Sequence, residues 1–287
     1  MFNQRLPDFN PVSPGQIATL KIPKWALTMM QITMRFGGTS FTKALIDEIK
    51  LLIGSKTVWS LPTAAGLSAG TILDMYNKTK GIYDQANRLS INLWDPNQET
   101  GPLKEIGGWD LSKLPDEVYL QVKINAAAVA PTLYANGWFA APQGATPEDP
   151  TGQLITKIAV FPFSFSGGGR FPIPFEPKGA LIKDISMIYT GADGTATTNA
   201  NISKFEVKRN GFTRWELDDQ ENRFYLQERK RVPQNKLYHV DLCADNNLSG
   251  ALVTANAESL EFYPTLTAAD NGVVLFNVLD APYNLSN

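Results

Sequence analysis

Residues 46–62, IDEIKLLIGSKTVWSLP, are matched 156 positions later by residues 202–218, ISKFEVKRNGFTRWELD. The apolar residues and one tryptophan fall at the same places in both stretches. In the first stretch, Gly54 to Thr57 separates two apolar runs, which is typical of the turn of a β-hairpin. The repeat therefore predicts that the chain contains two related halves. The matched positions are Ile46, Ile49, Leu51, Trp59 and Leu61 in the first stretch and Ile202, Phe205, Val207, Trp215 and Leu217 in the second.

The similarity extends to both sides of this hairpin, and the matches keep the same order along the chain. A duplication preserves such order, whereas chance matches between two β-rich segments do not require it. The further matches are Ile22-Pro23 with Ile173-Pro174, Ile32 and Met34 with Ile185 and Met187, residues 87–89 with 235–237, and residues 118–122 with 259–263.

Alternation of apolar and polar residues predicts β-strands throughout both halves. Spacings near 3.6 among Ala65, Ala69, Ile72 and Tyr76 predict a helix over residues 64–80, and no other stretch gives a convincing helical pattern. The predicted strands are residues 32–36, 89–93, 118–124, 161–165, 171–175, 186–189, 204–208, 212–217, 237–242, 259–263 and 273–278, together with the two runs of the first hairpin.

Prolines and glycines interrupt the chain at residues 140–152, AAPQGATPEDPTG, and exclude a regular strand there. We therefore divide the chain into an N-terminal domain (1–140), a linker (141–153) and a C-terminal domain (154–287). About eight short strands in each half fit the jelly roll, an eight-stranded sandwich. The predicted fold class is all-β: two tandem eight-stranded jelly-roll β-sandwiches, a double jelly roll, with one short helical insertion in the first.

Composition excludes several kinds of site. The 287-residue chain has 26 Lys and Arg against 28 Asp and Glu, so no basic excess favours direct sequence-specific binding of nucleic acid. Cys243 is the single cysteine and His239 the single histidine. These counts exclude an intramolecular disulfide and any metal centre with several imidazoles. We predict no enzyme activity and assign no catalytic, cofactor-binding or metal-binding residue.

Several polar segments could form a site, but a structural role is favoured for each. Asp218 to Glu221 could ligate a hard cation such as Ca²⁺, but it lacks the spacing of a calcium loop and is interpreted as a solvated turn. Glu228 to Arg231 is interpreted as a solvated charged face, and Ser166 to Arg170 as a flexible turn. His239 and Cys243 lie four residues apart on a predicted strand, about 13 Å, which is too far for direct proton transfer.

Tryptophans are the other candidates for recognition. Trp59 and Trp215, at equivalent places in the two halves, are predicted to anchor the two cores. Trp109, in a glycine-rich segment, is predicted to lie in an exposed loop and to contact a ligand or partner. Residues 1–14 contain three prolines and no periodicity, so they form either a segment that runs along the base of the molecule or a disordered tail.

Several short motifs accompany the tandem size and the helix-bearing insertion: Leu6-Pro7, Pro14-Gly15-Gln16-Ile17-Ala18-Thr19-Leu20, Glu48-Ile49-Lys50-Leu51 and Gly54-Ser55-Lys56-Thr57-Val58-Trp59. In these features the chain resembles the double jelly-roll major capsid proteins of tailless, membrane-containing icosahedral bacteriophages, of the corticovirus PM2 type. The resemblance covers essentially the whole chain.

This resemblance implies a structural protein of the virion, made in the host cytoplasm. It implies a homotrimer of pseudo-hexameric outline that contacts neighbouring trimers, penton proteins, minor capsid or membrane proteins, and an internal lipid membrane. Residues 95–114 and 189–201 are the expected outward loops. Structural Ca²⁺ is possible in such coats, but no ligand set can be matched to residues of this chain.

Two alternatives remain open from the sequence. A double jelly-roll glycan hydrolase, similar to peptide-N-glycanases, would use paired carboxylates as acid and base. A tandem carbohydrate-binding protein would use exposed tryptophans. Both would be expected as monomers, whereas a coat subunit would be oligomeric.

Overall fold

The computed structural model describes residues 1–83, 85–95, 106–141, 154–175, 179–195, 198–245, 247–282 and 284. These residues form two β-sandwiches, each made of two facing sheets with a core of buried apolar side chains between them. The all-β prediction is confirmed. Within these residues, each sandwich carries eight main strands and one short additional strand.

The first sandwich is built from the first nine strands. They are β1 (Phe2–Arg5), β2 (Ile17–Ile22), β3 (Thr28–Gly37), β4 (Ile46–Ile53), β5 (Lys56–Pro62), β6 (Arg88–Asn92), β7 (Trp109–Asp110), β8 (Val118–Ile124) and β9 (Thr132–Ala140). One sheet has the order β1-β9-β3-β6, with β7 also paired to β3. The facing sheet has the order β2-β8-β4-β5.

The second sandwich repeats this arrangement. Its strands are β10 (Ile155–Phe165), β11 (Gly169–Arg170), β12 (Leu181–Tyr189), β13 (Ile202–Arg209), β14 (Phe212–Asp218), β15 (Leu237–Asp241), β16 (Leu252–Val253), β17 (Leu260–Leu266) and β18 (Asp270–Asp280). The orders are β10-β18-β12-β15, with β16 paired to β12, and β11-β17-β13-β14. Each strand of the second sandwich therefore has its equivalent in the first sandwich, nine strands earlier in chain order.

Register and irregularities confirm the duplication, and they fix the equivalent residues of the two hairpins and of β3 and β12. The β4–β5 hairpin pairs Leu51 with Trp59 and has a bulge just beyond that pair. The β13–β14 hairpin pairs Val207 with Trp215 and has its bulge at the same place. A second shared bulge lies between Met29 and Gln31 of β3 and between Ile182 and Asp184 of β12. Bulges re-aim the side chains around them, so their repetition fixes which residues are equivalent.

The two matches nearest the C-terminus of each half are shifted by one residue from the sequence alignment. Leu51 pairs with Leu120, and its equivalent Val207 pairs with Phe262, so residues 118–122 correspond to 260–264. Likewise Thr33 pairs with Ser90, and Ser186 pairs with His239, so Leu89 corresponds to Tyr238. Both matches fall on the correct strands, and only pairing with a neighbouring strand fixes their register. The match of Ile22 with Ile173 is shifted by two residues, because Ile173 bonds Phe262, whose equivalent Leu120 pairs with Leu20.

Two helices follow equivalent strands. Helix α1 (Ala69–Thr79) confirms the predicted helix but begins five residues later, where Ser68 caps it by accepting from the Thr71 amide. Helix α2 (Asp219–Glu228) was not predicted, and the interpretation of residues 218–221 as a solvated turn is wrong. Asp218 and Glu221 form a capping box, the reciprocal bonding that starts a helix. Short 3-10 helices lie at Lys43–Leu45 and Leu248–Gly250.

Two further predictions about strands are corrected. Residues 171–175 are not a strand, because Pro172 and Pro174 have no amide to donate. The amides of Phe171 and Ile173 still donate to β17, at Pro264 O and Phe262 O, so the segment stays extended. Residues 2–5, for which no strand was predicted, form β1 and pair with β9.

The sandwiches are joined side by side through their sheets. Trp59 of β5 and Ile158 of β10 form a parallel bridge, which makes β2-β8-β4-β5 and β10-β18-β12-β15 parts of one nine-stranded sheet. Apolar residues from the outer face of the second sandwich pack into the core cluster of the first: Ile155, Ile158, Ile188, Leu237, Val273 and Leu275. Part of the junction is therefore apolar interior that is continuous with the first core.

Candidate functional site: the junction and its open counterpart

A buried polar cluster lies where α1 covers the second sandwich. The Tyr76 hydroxyl donates to Asp184 Oδ1 at 3.0 Å, and Asn277 Nδ2 donates to Asp184 Oδ2 at 2.7 Å. Lys80 Nζ forms an ion pair with the same Oδ2 at 2.7 Å. Tyr76 and Lys80 belong to the first sandwich, and Asp184 and Asn277 to the second. The cluster therefore fixes the orientation of α1 on its neighbour, because buried polar groups require partners.

The charged forms of Asp184 and Lys80 are both stabilised within this cluster. Burial acts to raise the pKa of Asp184, but the charge of Lys80 and the hydrogen bonds from Lys80 and Asn277 hold that pKa below its ordinary value. Burial acts to lower the pKa of Lys80, but Asp184 and Tyr76 raise it well above its ordinary value. Both groups therefore stay charged at neutral pH. Burial, with Asp184, also raises the pKa of Tyr76, so its hydroxyl remains a proton donor.

The single histidine forms a serine–histidine pair that cannot act on a substrate. Ser186 Oγ lies 2.8 Å from His239 Nδ1, but Ser186 is 0% exposed and His239 1%. Burial lowers the pKa of His239, so the ring is neutral at pH 7. Cys243 lies beyond the end of β15 and is buried, which raises the pKa of its thiol to about 12. All three side chains are structural.

Trp109 is not an exposed contact residue, so that prediction is wrong. It lies in β7, is 0% exposed, and donates from Nε1 to Thr156 O at 3.1 Å. The sugar-binding alternative thereby loses its best aromatic candidate. Trp59 is buried in the first core as predicted, whereas Trp215 is half-buried and packs edge-on against Tyr225.

The charged segments are occupied by structural bonds. Asp219 is 2% exposed and forms an ion pair with Arg223, so residues 218–221 do not fit a cation. Within residues 228–231, interpreted as solvated, Arg231 is buried and bonds Asp241 at 2.7 Å. No group of three or more His, Cys, Asp or Glu that could hold a metal occurs among the described residues. Ser166 to Arg170 is a turn, as predicted, that ends in β11.

The predicted outward loops are only partly described. Residues 96–105 and 196–197 lie outside the described residues. Within the remainder, Gly107 to Leu111 and Ala200 to Asn201 are buried, so these parts do not form an outer surface.

The first sandwich has a sheet equivalent to the one that meets the first sandwich at the junction, but its outer face is uncovered. The outer face of the β1-β9-β3-β6 sheet forms an open concavity of about 820 Å³. Its lining combines cationic, amide and aromatic side chains, including Asn3, Arg5, Thr33, Arg35, Arg88, Tyr134, Asn136 and Trp138. We call this surface the open face.

Sequence reasoning missed the open face, although one signal was available. In β3 the buried residues Ile32, Met34 and Phe36 alternate with Thr33 and Arg35, which point outward. The equivalent strand β12 is almost entirely buried, from Ile182 to Tyr189. A comparison of the polarity of equivalent strands would have separated the covered face from the uncovered one.

Comparison with known families identifies the chain. Residues 3–140 match the family described as viral coat protein P2 N-terminal domain, and residues 155–282 match viral coat protein P2 C-terminal domain. The chain belongs to the viral coat protein P2 family. It is a viral major capsid protein, a component of the virion and not an enzyme. A search of curated protein sequences finds no match.

Solved structures of viral capsids share the fold over nearly the full length. The major capsid protein P2 from Bacteriophage PM2 superposes with a TM-score of 0.80 at 14% identity, covering 99% of each chain. A chain of Sulfolobus Turreted Icosahedral Virus gives 0.71 at 16% identity, covering 98% of this chain and 91% of that one. A chain of the PBCV-1 virus capsid gives 0.62 at 10% identity, covering 99% and 95%.

Among the described residues, none of the helices has the length and apolarity required to cross a membrane.

Proposed function

We propose that three copies of this coat protein form a closed trimer of pseudo-hexameric outline, and that such trimers tile an icosahedral shell over an internal membrane. The observation that carries the trimer is the strand-by-strand equivalence of the two sandwiches. Two similar lobes in each of three chains give six similar lobes around a threefold axis, which can pack hexagonally.

The proposed partners follow from this role. They are the neighbouring trimers, penton proteins, minor capsid or membrane proteins, and the lipid membrane on the inner side of the shell. The proposal of an internal membrane rests on the resemblance to capsid proteins of membrane-containing bacteriophages. The net charge of −2 supports a coat that makes no direct sequence-specific contact with the genome. Synthesis in the host cytoplasm is part of the same proposal.

We also propose a division into an N-terminal jelly roll (1–140), a linker (141–153) and a C-terminal jelly roll (154–287). The family matches support it, since one ends at residue 140 and the other begins at residue 155. In this role the protein uses no catalytic, cofactor-binding or metal-binding residue.

The trimer is tested by size-exclusion chromatography with light scattering on the purified chain, with and without a calcium chelator. A stable mass near three times 31.6 kDa, about 95 kDa, supports the proposal. A mass of 31.6 kDa at every concentration and in every buffer contradicts it. A trimer that dissociates only with chelator would show that a structural cation is needed as well.

A further inference from the structure

We propose that the contact between subunits repeats the junction inside each chain: β14 and α2 of one copy dock against β1 and the open face of the next copy. This inference rests on the proposed trimer and specifies the surfaces that form it.

The junction inside the chain supplies the geometry. The edge strand of one sheet in the first sandwich, β5, meets the edge strand of one sheet in the second, β10, at the Trp59–Ile158 bridge. Helix α1, which follows β5, then lies over the outer face of β10-β18-β12-β15 and bonds Asp184 through Tyr76. An edge strand and the helix after it thus cover the neighbouring sandwich.

Each side of this junction has an equivalent that remains open. The equivalent of β5 is β14, the last strand of β11-β17-β13-β14, and the equivalent of β10 is β1, the first strand of β1-β9-β3-β6. The matched bulges make Trp215 the equivalent of Trp59. Pairing with β9 and β18 makes Asn3 the equivalent of Ile158. The same bridge between two copies would therefore place Trp215 of one beside Asn3 of the other.

Exposure agrees with this assignment. Residues 58–61 of β5 are buried, whereas Phe212, Thr213, Arg214 and Glu216 of β14 are exposed. Phe212 is 76% exposed and Phe224, on α2, is 64% exposed. An open sheet edge beside large exposed apolar side chains is a surface that proteins normally cover.

The open face is equivalent to the outer face of β10-β18-β12-β15, which the junction covers, but its side chains are polar. Register makes Arg35, Arg88, Tyr134 and Asn136 of the first sandwich equivalent to Ile188, Leu237, Val273 and Leu275 of the second. The apolar set is buried in the junction of every folded chain. The polar set remains in water until assembly, so its side chains keep the free subunit soluble.

Charge favours a second copy as the occupant of the open face. Within the described part of the chain, Arg35 and Arg88 have no acidic side chain within ion-pairing distance. Helix α2 exposes Glu221 and Glu228. Acidic side chains on the helix would meet arginines on the sheet, the reverse of the Lys80–Asp184 pair inside the chain.

The contact is head-to-tail, because the donating edge and the receiving face lie on different sandwiches of one chain. Such contacts close into rings when the rotation between copies is suitable. With two lobes per chain, a ring of six lobes contains three junctions inside chains and three between them. A twofold contact would instead use the same surface on both copies.

Disulfide cross-linking tests the geometry directly. Gln4 and Glu216 are both exposed and directly follow Asn3 and Trp215, so the full-length double variant Gln4→Cys/Glu216→Cys brings two thiols together at each subunit contact. Native Cys243 is buried and does not compete. After mild oxidation, denaturing electrophoresis without reductant is expected to show covalent species of two and three chains. Each single variant, run as a control, is expected to give neither a three-chain species nor an efficient two-chain one.

Charge reversal tests the open face independently of cross-linking. The variants Arg35→Glu/Arg88→Glu and Glu228→Arg are each expected to shift the light-scattering mass from about 95 kDa towards 31.6 kDa. The variant that carries all three changes is expected to regain the trimer. Lys123→Glu, at an exposed position on β8, is the matched control and is expected to keep the wild-type mass. Circular dichroism confirms that each variant is folded.

The outcomes separate the two proposals. A wild-type chain that stays monomeric overturns the proposed trimer itself. A wild-type trimer that neither cross-links through Gln4→Cys/Glu216→Cys nor weakens on charge reversal overturns this inference and leaves the trimer standing. Cross-linking that stops at two chains, with a dimeric mass, overturns both.

Discussion

The hydroxyl of Tyr76, on the helix of the first sandwich, donates to the carboxylate of Asp184, on the second, across 108 positions of sequence. Asp184 also accepts a hydrogen bond from Asn277 and forms an ion pair with Lys80, so one carboxylate bonds side chains of both sandwiches. The apolar junction sets how tightly the sandwiches associate. This carboxylate sets the relative position in which Tyr76, Lys80 and Asn277 all reach their shared partner.

Loss of the lysine at this junction should be costly. Lys80→Met leaves the Asp184 charge buried without its cation, so we expect a loss of about 3–5 kcal/mol in the free energy of unfolding. Lys78→Met is the matched control on the same helix, because it removes a more exposed pair with Asp74 and should cost only about 0.3–0.5 kcal/mol. Urea denaturation measures both. Equal losses in the two variants would show that the buried pair has no special role.

Stability should fall in mild acid because of the single histidine. The pKa of His239 is lowered in the folded chain, so below the ordinary histidine value the unfolded chain binds a proton that the folded chain does not. The contribution of neutral His239 to the free energy of unfolding is therefore fully present above about pH 7. It declines by up to about 1.4 kcal/mol per pH unit towards pH 5. His239→Asn should flatten the curve of unfolding free energy between pH 7 and 5. Parallel curves for the two proteins would contradict the assignment.

Asp184 should add a second decline at lower pH. Because its pKa is lowered in the folded chain, its stabilisation is present above the ordinary aspartate value and is lost as the pH falls through the folded value. Asp184→Asn should remove this acid-range component while lowering stability at pH 7. Thermal unfolding at pH 7, 4 and 3 measures it, and an unchanged difference between variant and wild type at all three values would refute the prediction.

Trp109 and Trp138, two of the tryptophans of the first sandwich, should separate folding from assembly. Trp109→Ala removes a fully buried side chain and its bond to Thr156, so we expect a loss of about 3–5 kcal/mol. Trp138, 37% exposed on the open face, should lose less stability on replacement by alanine, about 1–2 kcal/mol, yet the variant should form a weaker trimer. Denaturation and light scattering on both variants check this. A strongly destabilised Trp138→Ala monomer would count against a role in assembly.

The capping box should support α2 measurably. Asp218→Ala removes the side chain that accepts from the Glu221 amide at 2.8 Å, and we expect a cost of about 0.5–2 kcal/mol. Asp218→Asn keeps an accepting oxygen and serves as the control. If both variants lose the same stability in chemical denaturation, the cap is not the cause.

Prediction from sequence succeeded where the signal was a period or a repeat. Alternation located Val118–Ile124 to the residue, and the hairpin offset identified Trp59 and Trp215 as equivalents before any pairing was known. Prediction failed where the same local sequence fits two different structures. The charged residues of α2 have little apolar periodicity, so only the Asp218–Glu221 cap marked the helix. Trp109 lies among glycines, which gives no sign of the core around it.

The sequence by itself determined the two related all-β halves, because side-chain alternation and duplication are properties of the chain read in order. Only the tertiary structure decided which of two equivalent faces is covered. Ile188 and Arg35 occupy the same place in their sandwiches, but the first is buried at the junction and the second lines the open face. Burial depends on what another part of the chain places on a surface, and no local pattern records that neighbour.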